Sequence, residues 1–573
     1  MCQQHLAWNI PVAVEGGRPY QCLGGVAARL TAISLSHARE WKADTTHKTL
    51  KRLYAMITIL KVILWDEEIG RLVWDARRGL SYFNYNPRFI RKGLDIAPLA
   101  APLKTYANMP IWGEDGKIYQ RLPAFIADSL PDSWGNQLFD LWRQQHHLSN
   151  ADITPLDKLS FIGKRGMGAL EFQPQVSRER SPKKIDMASL TDLAERIFSE
   201  RENARIMPGE SITMQSLLTV GTSAGGRQPK AIIAINRNSG EIRSGQIAGL
   251  EDYDYYLLKF GNTEYSSAEL EMTYYELARK ARIDMMPSRL YSVNGKNHFM
   301  TMRFDRRNGK KVFTQTLAAL CPDADSYEKL LAVCRRLHLP ESDCQEVFRR
   351  MVFNILANNT DDHNKNFSFI MTEDGTWRLA PAYDLTYVLD LGGNLPNENH
   401  CLFMRAKLSS FSRGDVVAFA HDNGIQRPDA IIREVAEALK QFRPIAEKNG
   451  VGARWVGRVE STILDHLSAW GEYDKPTESI STEVNGHRIS DIRIEQTYKG
   501  NYHLMANIDG AQRKFVIGKS KKEYAEIERT GIANITSDRL FDLAKKNTLR
   551  LHWTRKDITI EGLVISHLDY LLL

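Results

Sequence analysis

The segment "ESDCQEVFRRMVFNILANNTDDHNKNFSFIMTEDGTWRLAPAYD", Glu341 to Asp384, constrains the fold more than any other stretch of the chain. Its first half places Val347, Phe348, Val352, Ile355 and Leu356 on one face of a helix. The helix runs out into a loop crowded with acids and amides, so that loop sits just past a helix end. "NFSFIM" then reads as a strand, "TEDG" as a turn and "WRLAPAYD" as a returning strand. With Asp374 and Gly375 centring the turn, Asn366 faces Tyr383 and Asp384 lies beside it. Asp361, Asn366 and Asp384 are therefore expected to converge at the open end of the hairpin.

Such a convergence suits phosphoryl transfer. One carboxylate orients the attacking hydroxyl and accepts its proton, while an amide oxygen and a second carboxylate hold magnesium against nucleotide phosphates. Asp361 and Asn366 stand in a D-x4-N spacing, the one found in the catalytic loop of protein kinases. Two other readings compete. Asp362-His363 is an HD dipeptide, as in metal phosphohydrolases, which would need further metal ligands projecting from neighbouring helices. The polar residues could also form only a busy turn.

Upstream residues bear on the choice. "GTSAGGRQPK" lies between two strand-like runs, where small residues can expose backbone N–H groups to phosphates or simply make a hairpin loop. Lys259 closes the apolar strand "YDYYLLKF", as a paired ammonium or as an edge lysine in water. Glu271 opens the next helix, where it can pair with Lys259 or simply favour the helix dipole. Leu270, Tyr274, Leu277 and Ala281 recur at helical spacing there. Loop, lysine, glutamate, D-x4-N and aspartate follow in the order a kinase nucleotide site requires.

Size and composition bound the rest. With 573 residues, 43% hydrophobic and 25% charged, the chain is globular and long enough for several cores. A net charge of +7 permits a nucleic-acid contact without arguing for one. The six cysteines (Cys2, Cys22, Cys321, Cys334, Cys344, Cys401) form no CxxC pair, which fits a reduced, cytoplasmic protein. No apolar run is long enough to span a bilayer, and the start lacks a signal-peptide pattern. His298, His338 and His400 have no ligand spacing and read as surface or satisfied-core residues. "RERSPKK" reads as a solvated linker, with DNA contact the minority reading.

The chain resembles the HipA family of bacterial toxin serine/threonine kinases. The resemblance rests on "TSAGGRQPKA", "YLLKF", "MRFDRR", "NNTDDHNKNFSF" and "LAPAYDLT", and on "GRLVWDARRGLSYFNYNP" and "RLPAFIADSLPDSWGNQL" further upstream. It implies an α+β, two-lobed protein-kinase-like fold using ATP and Mg2+. By the same resemblance Asp361 is the catalytic base, Asn366 and Asp384 are magnesium ligands, and Lys259 contacts phosphates with Glu271 as its partner. Gly225, Gly226, Arg227, Gln228, Pro229 and Lys230 would line the phosphate side and Met302, Arg303 and Phe304 the adenine hinge. His363, Asn364, Lys365 and Tyr383 would complete the pocket. Ser223 falls where such kinases are autophosphorylated. Asp362 departs from the glycine often found in the family; its extra charge beside the base bears either on metal affinity or on substrate reach.

The expected organisation is an extension at 1–55, disordered or not native and dispensable, then a HipA-like N-terminal subdomain at 56–180. A kinase N-lobe at 181–305, a helical C-lobe at 306–475 and a β-rich appendage at 476–573 follow. The first hairpin is expected to turn at "DEEIG" between "MITILKVILW" and "RLVWD". The family implies a helix-turn-helix antitoxin partner, DNA contact only within that complex, and a protein target such as an aminoacyl-tRNA synthetase. Alternative functions are a small-molecule or lipid kinase of the same fold and a catalytically silent co-repressor subunit.

Overall fold

The computed structural model describes residues 57–145, 153–176, 185–200, 217–218, 228–246, 248–250, 252–388 and 397–473. In the tail it describes the strands at 482–484, 487–496, 502–508, 511–517, 557–560 and 563–566. The expected extension at 1–55, most of the charged link beginning at Ser177, and Ser223, Gly225, Gly226 and Arg227 lie outside the described residues.

An N-terminal antiparallel sheet runs in the order β4-β3-β2-β1-β5. Its strands are β1 (Ile59–Leu64), β2 (Glu67–Asp75), β3 (Leu80–Tyr85), β4 (Ile111–Trp112) and β5 (Leu170–Gln173). The first hairpin turns earlier than its sequence suggests, at Trp65 and Asp66, both in the left-handed region (φ 49° and 62°). Two such residues match the twist of a tight hairpin. Glu67 and Glu68 are thereby freed to pair in the strand, because Lys92 and Lys61 take their carboxylates.

A second five-stranded sheet contains β6 (Lys230–Asn236), β7 (Ile242–Ser244), β8 (Tyr253–Lys259), β9 (Ser288–Val293) and β10 (Lys296–Met302), ordered β7-β6-β8-β10-β9. Helix α1 (Ser133–Gln145) backs this sheet, with Trp134, Leu138 and Trp142 joining Ile233, Leu258 and Met300 in one core. Helix α2 (Ser267–Lys280) instead buries Leu270, Tyr274 and Leu277 in a larger core, as their spacing predicts. That core is continuous from Leu60, Phe83 and Phe125 of the N-terminal unit to Val352 and Ile463 of the helical lobe. Lys259 at the end of β8 and Glu271 on α2 therefore meet at the seam between two cores.

The helical lobe carries α3 (Tyr327–Arg336), α4 (Glu341–Leu356), α5 (Arg413–Asp422), α6 (Pro428–Leu439), α7 (Phe442–Lys448) and α8 (Ala453–Ala469). Its small sheet holds β11 (Phe313–Thr316), β12 (Ser368–Met371) and β13 (Trp377–Leu379). The β12–β13 hairpin pairs Phe369 with Leu379 and Met371 with Trp377, one residue away from the register expected with Asp374 and Gly375 at its centre. The returning strand is also shorter. Pro381 cannot donate to a ladder, and Ala382 N–H bonds instead to Asp284 O at 2.7 Å. In the tail, Thr482–Val484, His487–Gln496, Tyr502–Ile508 and Ala511–Ile517 form an antiparallel sheet, as the alternation of the segment predicts.

Candidate active site

Lys259 is buried at the end of β8, an untenable place for an ammonium without partners. It has two. Its Nζ lies 2.5 Å from Glu271 Oε1 and bonds to Asp384 Oδ1. Burial alone would push this ammonium down, but the carboxylates of Asp384 and Glu271 outweigh it and hold it above the usual lysine range. Burial raises Glu271 to about 7 even against the pull of Lys259. Burial also acts to raise Asp384, but Lys259 prevails and keeps it below the usual carboxylate range. Glu271 is sealed at 7% exposure, while Asp384 keeps 31% and an open side. Asp384 also sits at φ 59°, a conformation that costs a non-glycine residue energy and clusters at functional sites.

Past the end of α4, the loop delivers Asp361 with its side chain 59% exposed. The Asn366 amide nitrogen donates to Asp361 O at 2.7 Å, leaving the amide oxygen as the atom a cation would take. His363 Nε2 lies 3.8 Å from Asp361 Oδ1. Tyr383 donates to Lys365 O at 2.7 Å and contacts Ser368 Oγ at 2.6 Å, bracing the loop against β12. Its ring stacks on Phe304 at 5.7 Å, which ties the hinge to the Asp384 loop. Asn364 turns away from the cleft and donates to Ala324 O at 3.2 Å.

At the start of β6 Lys230 is almost wholly buried, 3.2 Å from Asp132 Oδ2. Burial lowers this lysine and raises that aspartate. Gln228 donates to Phe260 O at 2.8 Å, and Pro229 O accepts from Phe260 N–H, so both fasten the entry to β6. Arg303 departs from expectation. Its guanidinium bonds to Asp305 at 2.7 and 2.6 Å and to Gly245 O, facing the interior, so only its backbone belongs to the hinge.

Asp362 and His363 diverge. The Asp362 carboxylate is buried and accepts from Tyr327 Oη at 2.6 Å and Cys401 N–H at 2.7 Å, while His400 Nδ1 pairs with it at 2.8 Å. This removes the aspartate a phosphohydrolase dipeptide would use, and among the described residues no three His, Cys, Asp or Glu side chains gather to hold a metal. His400 and His298 are core residues, the latter accepting from Gly261 N–H at 3.0 Å.

Sequence reasoning missed two acids of the N-terminal unit. They are Asp132, the partner of Lys230, and Asp128, whose oxygens accept from Thr316 N and Oγ1. Through Asp132 with Lys230 and Asp128 with Thr316 this unit is joined to the starts of β6 and of the Leu317 turn. No local pattern announces such long-range pairs.

Residues 60–173 match the family model described as the HipA N-terminal domain, and residues 222–442 that described as the HipA-like C-terminal domain. The serine/threonine-protein kinase toxin HipA of Shewanella oneidensis is 22% identical over 362 residues, a match covering 57% of this chain and 75% of that protein. A Haemophilus influenzae relative is 27% identical over 224 residues, 34% of this chain and 63% of its own length, which is under two thirds. A solved Shewanella oneidensis MR-1 complex of HipA, HipB and operator DNA shares the fold, with a TM-score of 0.53, 17% identity, and coverage of 72% of this chain and 98% of that one. No helix among the described residues is long and apolar enough to cross a membrane.

Proposed function

The chain belongs to the HipA family, and from that premise we propose that it is an ATP-dependent serine/threonine protein kinase, the toxin of a toxin–antitoxin pair. The observation that carries the reading is the burial of Lys259 between Glu271 and Asp384, whose neighbour Tyr383 bonds to the loop that presents Asp361 and Asn366.

Lys259, held charged and oriented by two carboxylates, is placed to contact phosphate oxygens. Asp361 is exposed and free to accept the proton of an incoming hydroxyl, with His363 beside it. Magnesium fits the donor set: Asp384 and the Asn366 amide offer hard oxygens, and one ammonium facing two carboxylates leaves an excess of negative charge on the open side. Once bound there, it would neutralise charge building on the transferred phosphoryl group. Phe304 and Tyr383 supply an apolar stack beside the hinge for a nucleobase. Ser223 is the proposed autophosphorylation site. A cytoplasmic translation component such as an aminoacyl-tRNA synthetase is the proposed target, and a small helix-turn-helix antitoxin the proposed partner.

Asp361→Asn tests this reading. The amide nearly preserves shape but cannot take the proton, so transfer should fall about 10²- to 10⁴-fold with ATP binding retained. Phosphorylation by the variant within a few-fold of wild type would remove Asp361 from the mechanism.

A further inference from the structure

Asp362 does not face the metal side of the cleft. Besides Tyr327, His400 and Cys401 N–H it accepts from Leu402 N–H at 3.4 Å, so one buried carboxylate staples residues 400–402 to the catalytic loop. Tyr327 is itself held by Asn354 at 3.1 Å, and Asn354 by Asn359 at 2.9 Å, a chain of bonds reaching back to the end of α4. Next along the chain, Phe403 N–H bonds to Asp325 O and Phe403 O accepts from Tyr327 N–H. A tight turn with Arg405 and Ala406 both left-handed (φ 48° and 59°) then closes the segment.

Exposure alternates along this pinned segment. Leu402 and Met404 are buried, while Cys401, Phe403 and Arg405 face solvent. The row begins at the reacting centre, since Cys401 Sγ is 3.9 Å from Asp361 Oδ1. Phe403 comes next, 37% exposed and one of five large apolar side chains so exposed among the described residues. Two residues of chain span at most about 7 Å, so its ring lies within reach of a group two residues from a hydroxyl held at Asp361. Charge offers little discrimination here, because Arg405 pairs with Asp422 and Lys407 with Asp415.

We propose that residues 401–405 form the ledge on which the acceptor segment of a protein substrate docks. Phe403 selects an apolar side chain about two residues from the reacting hydroxyl, and Asp362 is the positioning residue that fixes the ledge relative to Asp361. This rests on the kinase reading above. It assigns the extra aspartate to substrate reach rather than to metal affinity.

The test uses the full chain, magnesium, radiolabelled ATP and a positional-scanning library of serine-centred peptides, with autophosphorylation and binding of a fluorescent ATP analogue followed in parallel. Wild type should favour Leu, Ile, Met or Phe over Gly or Asp about tenfold at a position two residues from the serine, and Phe403→Ala should flatten that preference to about twofold. ATP affinity and autophosphorylation should not change in Phe403→Ala, whose part-exposed ring carries only a modest folding cost. Asp362→Asn should raise the peptide KM several-fold with ATP affinity unchanged. Apolar selection that persists in Phe403→Ala, selection of charged residues instead, or labelling of sugars or lipid vesicles but not peptides would each overturn the proposal. Wild type that autophosphorylates yet labels no peptide would overturn the ledge and leave the kinase reading standing, whereas loss of both would end both.

Discussion

Two buried ion clusters flank the hinge, and only one of them is closed. Asp305 accepts from Arg303 Nε and Nη2, Arg306 Nη1 and Gly168 N–H, and other guanidinium donors reach Gly166 O, Gly168 O and Gly245 O, with Arg306 Nε alone of the two guanidinium groups' nitrogens left buried without a partner. All three side chains are 0–1% exposed. The Lys259 cluster has the opposite stoichiometry, one cation to two carboxylates, and Asp384 stays open to the cleft. A closed cluster ties the N-terminal unit to the kinase-like body, whereas an open one with surplus acid is poised to take something more. Burial of charge alone does not mark a functional site; incompleteness does.

The largest effect should come from breaking the closed cluster. Asp305→Ala leaves two buried guanidiniums without their carboxylate, and arginine keeps its proton at neutral pH. Stability should fall by about 3–5 kcal/mol in urea unfolding. A loss of under about 1 kcal/mol would show that the cluster ties nothing together.

Lys259→Met should behave differently. Glu271, already raised to about 7, can shed its charge by taking a proton, so stability should change little. Phosphoryl transfer should fall about 10²- to 10³-fold, since a preorganised charge at the phosphates is lost. A variant that unfolds like Asp305→Ala but transfers normally would invert the roles of the two clusters.

The pairing of Lys259 with Glu271 was open to reading in the sequence, whereas its contact with Asp384 and the interior role of Arg303 were not. Lys259 at the end of an apolar strand, Glu271 one element later and the D-x4-N loop form an ordered series that local pattern reveals. Arg303 looked like a pocket residue because "MRFDRR" adjoins the hinge, yet its guanidinium is taken by Asp305 and Gly245 O, and Asp305 in turn accepts from Gly168 N–H, long-range contacts that no local periodicity could indicate. For the same reason helical and strand patterns identified buried faces without showing that the N-terminal unit and the helical lobe share one core. The hairpin register failed by one residue, because Asn366 and Tyr383 are held by Asp361 O and Lys365 O rather than by the ladder.

The edge of the closed cluster should respond to base. Lys311 Nζ lies 3.0 Å from Glu171 Oε1 and 2.6 Å from Lys164 O; burial, then the Arg306 cation, push it down to about 8. Between about 8 and the ordinary lysine value of roughly 10.4 the unfolded chain holds this proton more tightly than the folded one. Stability from this group therefore rises with pH across that window. Measured as wild type minus Lys311→Met, the gain should approach about 2 kcal/mol by the top of the window. A difference that stays flat or falls would place Lys311 in a wetter site than its contacts imply.

The open cluster should respond to acid, in activity and stability with opposite signs. Glu271 lies at about 7 in the folded protein because burial outweighs its attraction to Lys259. As pH falls through that value Glu271 takes up a proton and loses its grip on the ammonium, leaving Lys259 to Asp384 alone. Transfer should drop several-fold, with an acid limb near pH 7 in kcat/KM, the quantity that reports ionisations of the free enzyme. Stability moves the other way. A carboxyl whose folded value is raised binds more protons folded than unfolded between the ordinary glutamate range and about 7, so its contribution to stability improves as pH falls through that window. Glu271→Gln cannot titrate; it should show a constant, lower rate without the limb, and should lose the acid-side gain in stability. If the variant keeps the same acid limb, the titrating group is elsewhere in the cleft, and Lys259 is oriented by Asp384 without help from Glu271.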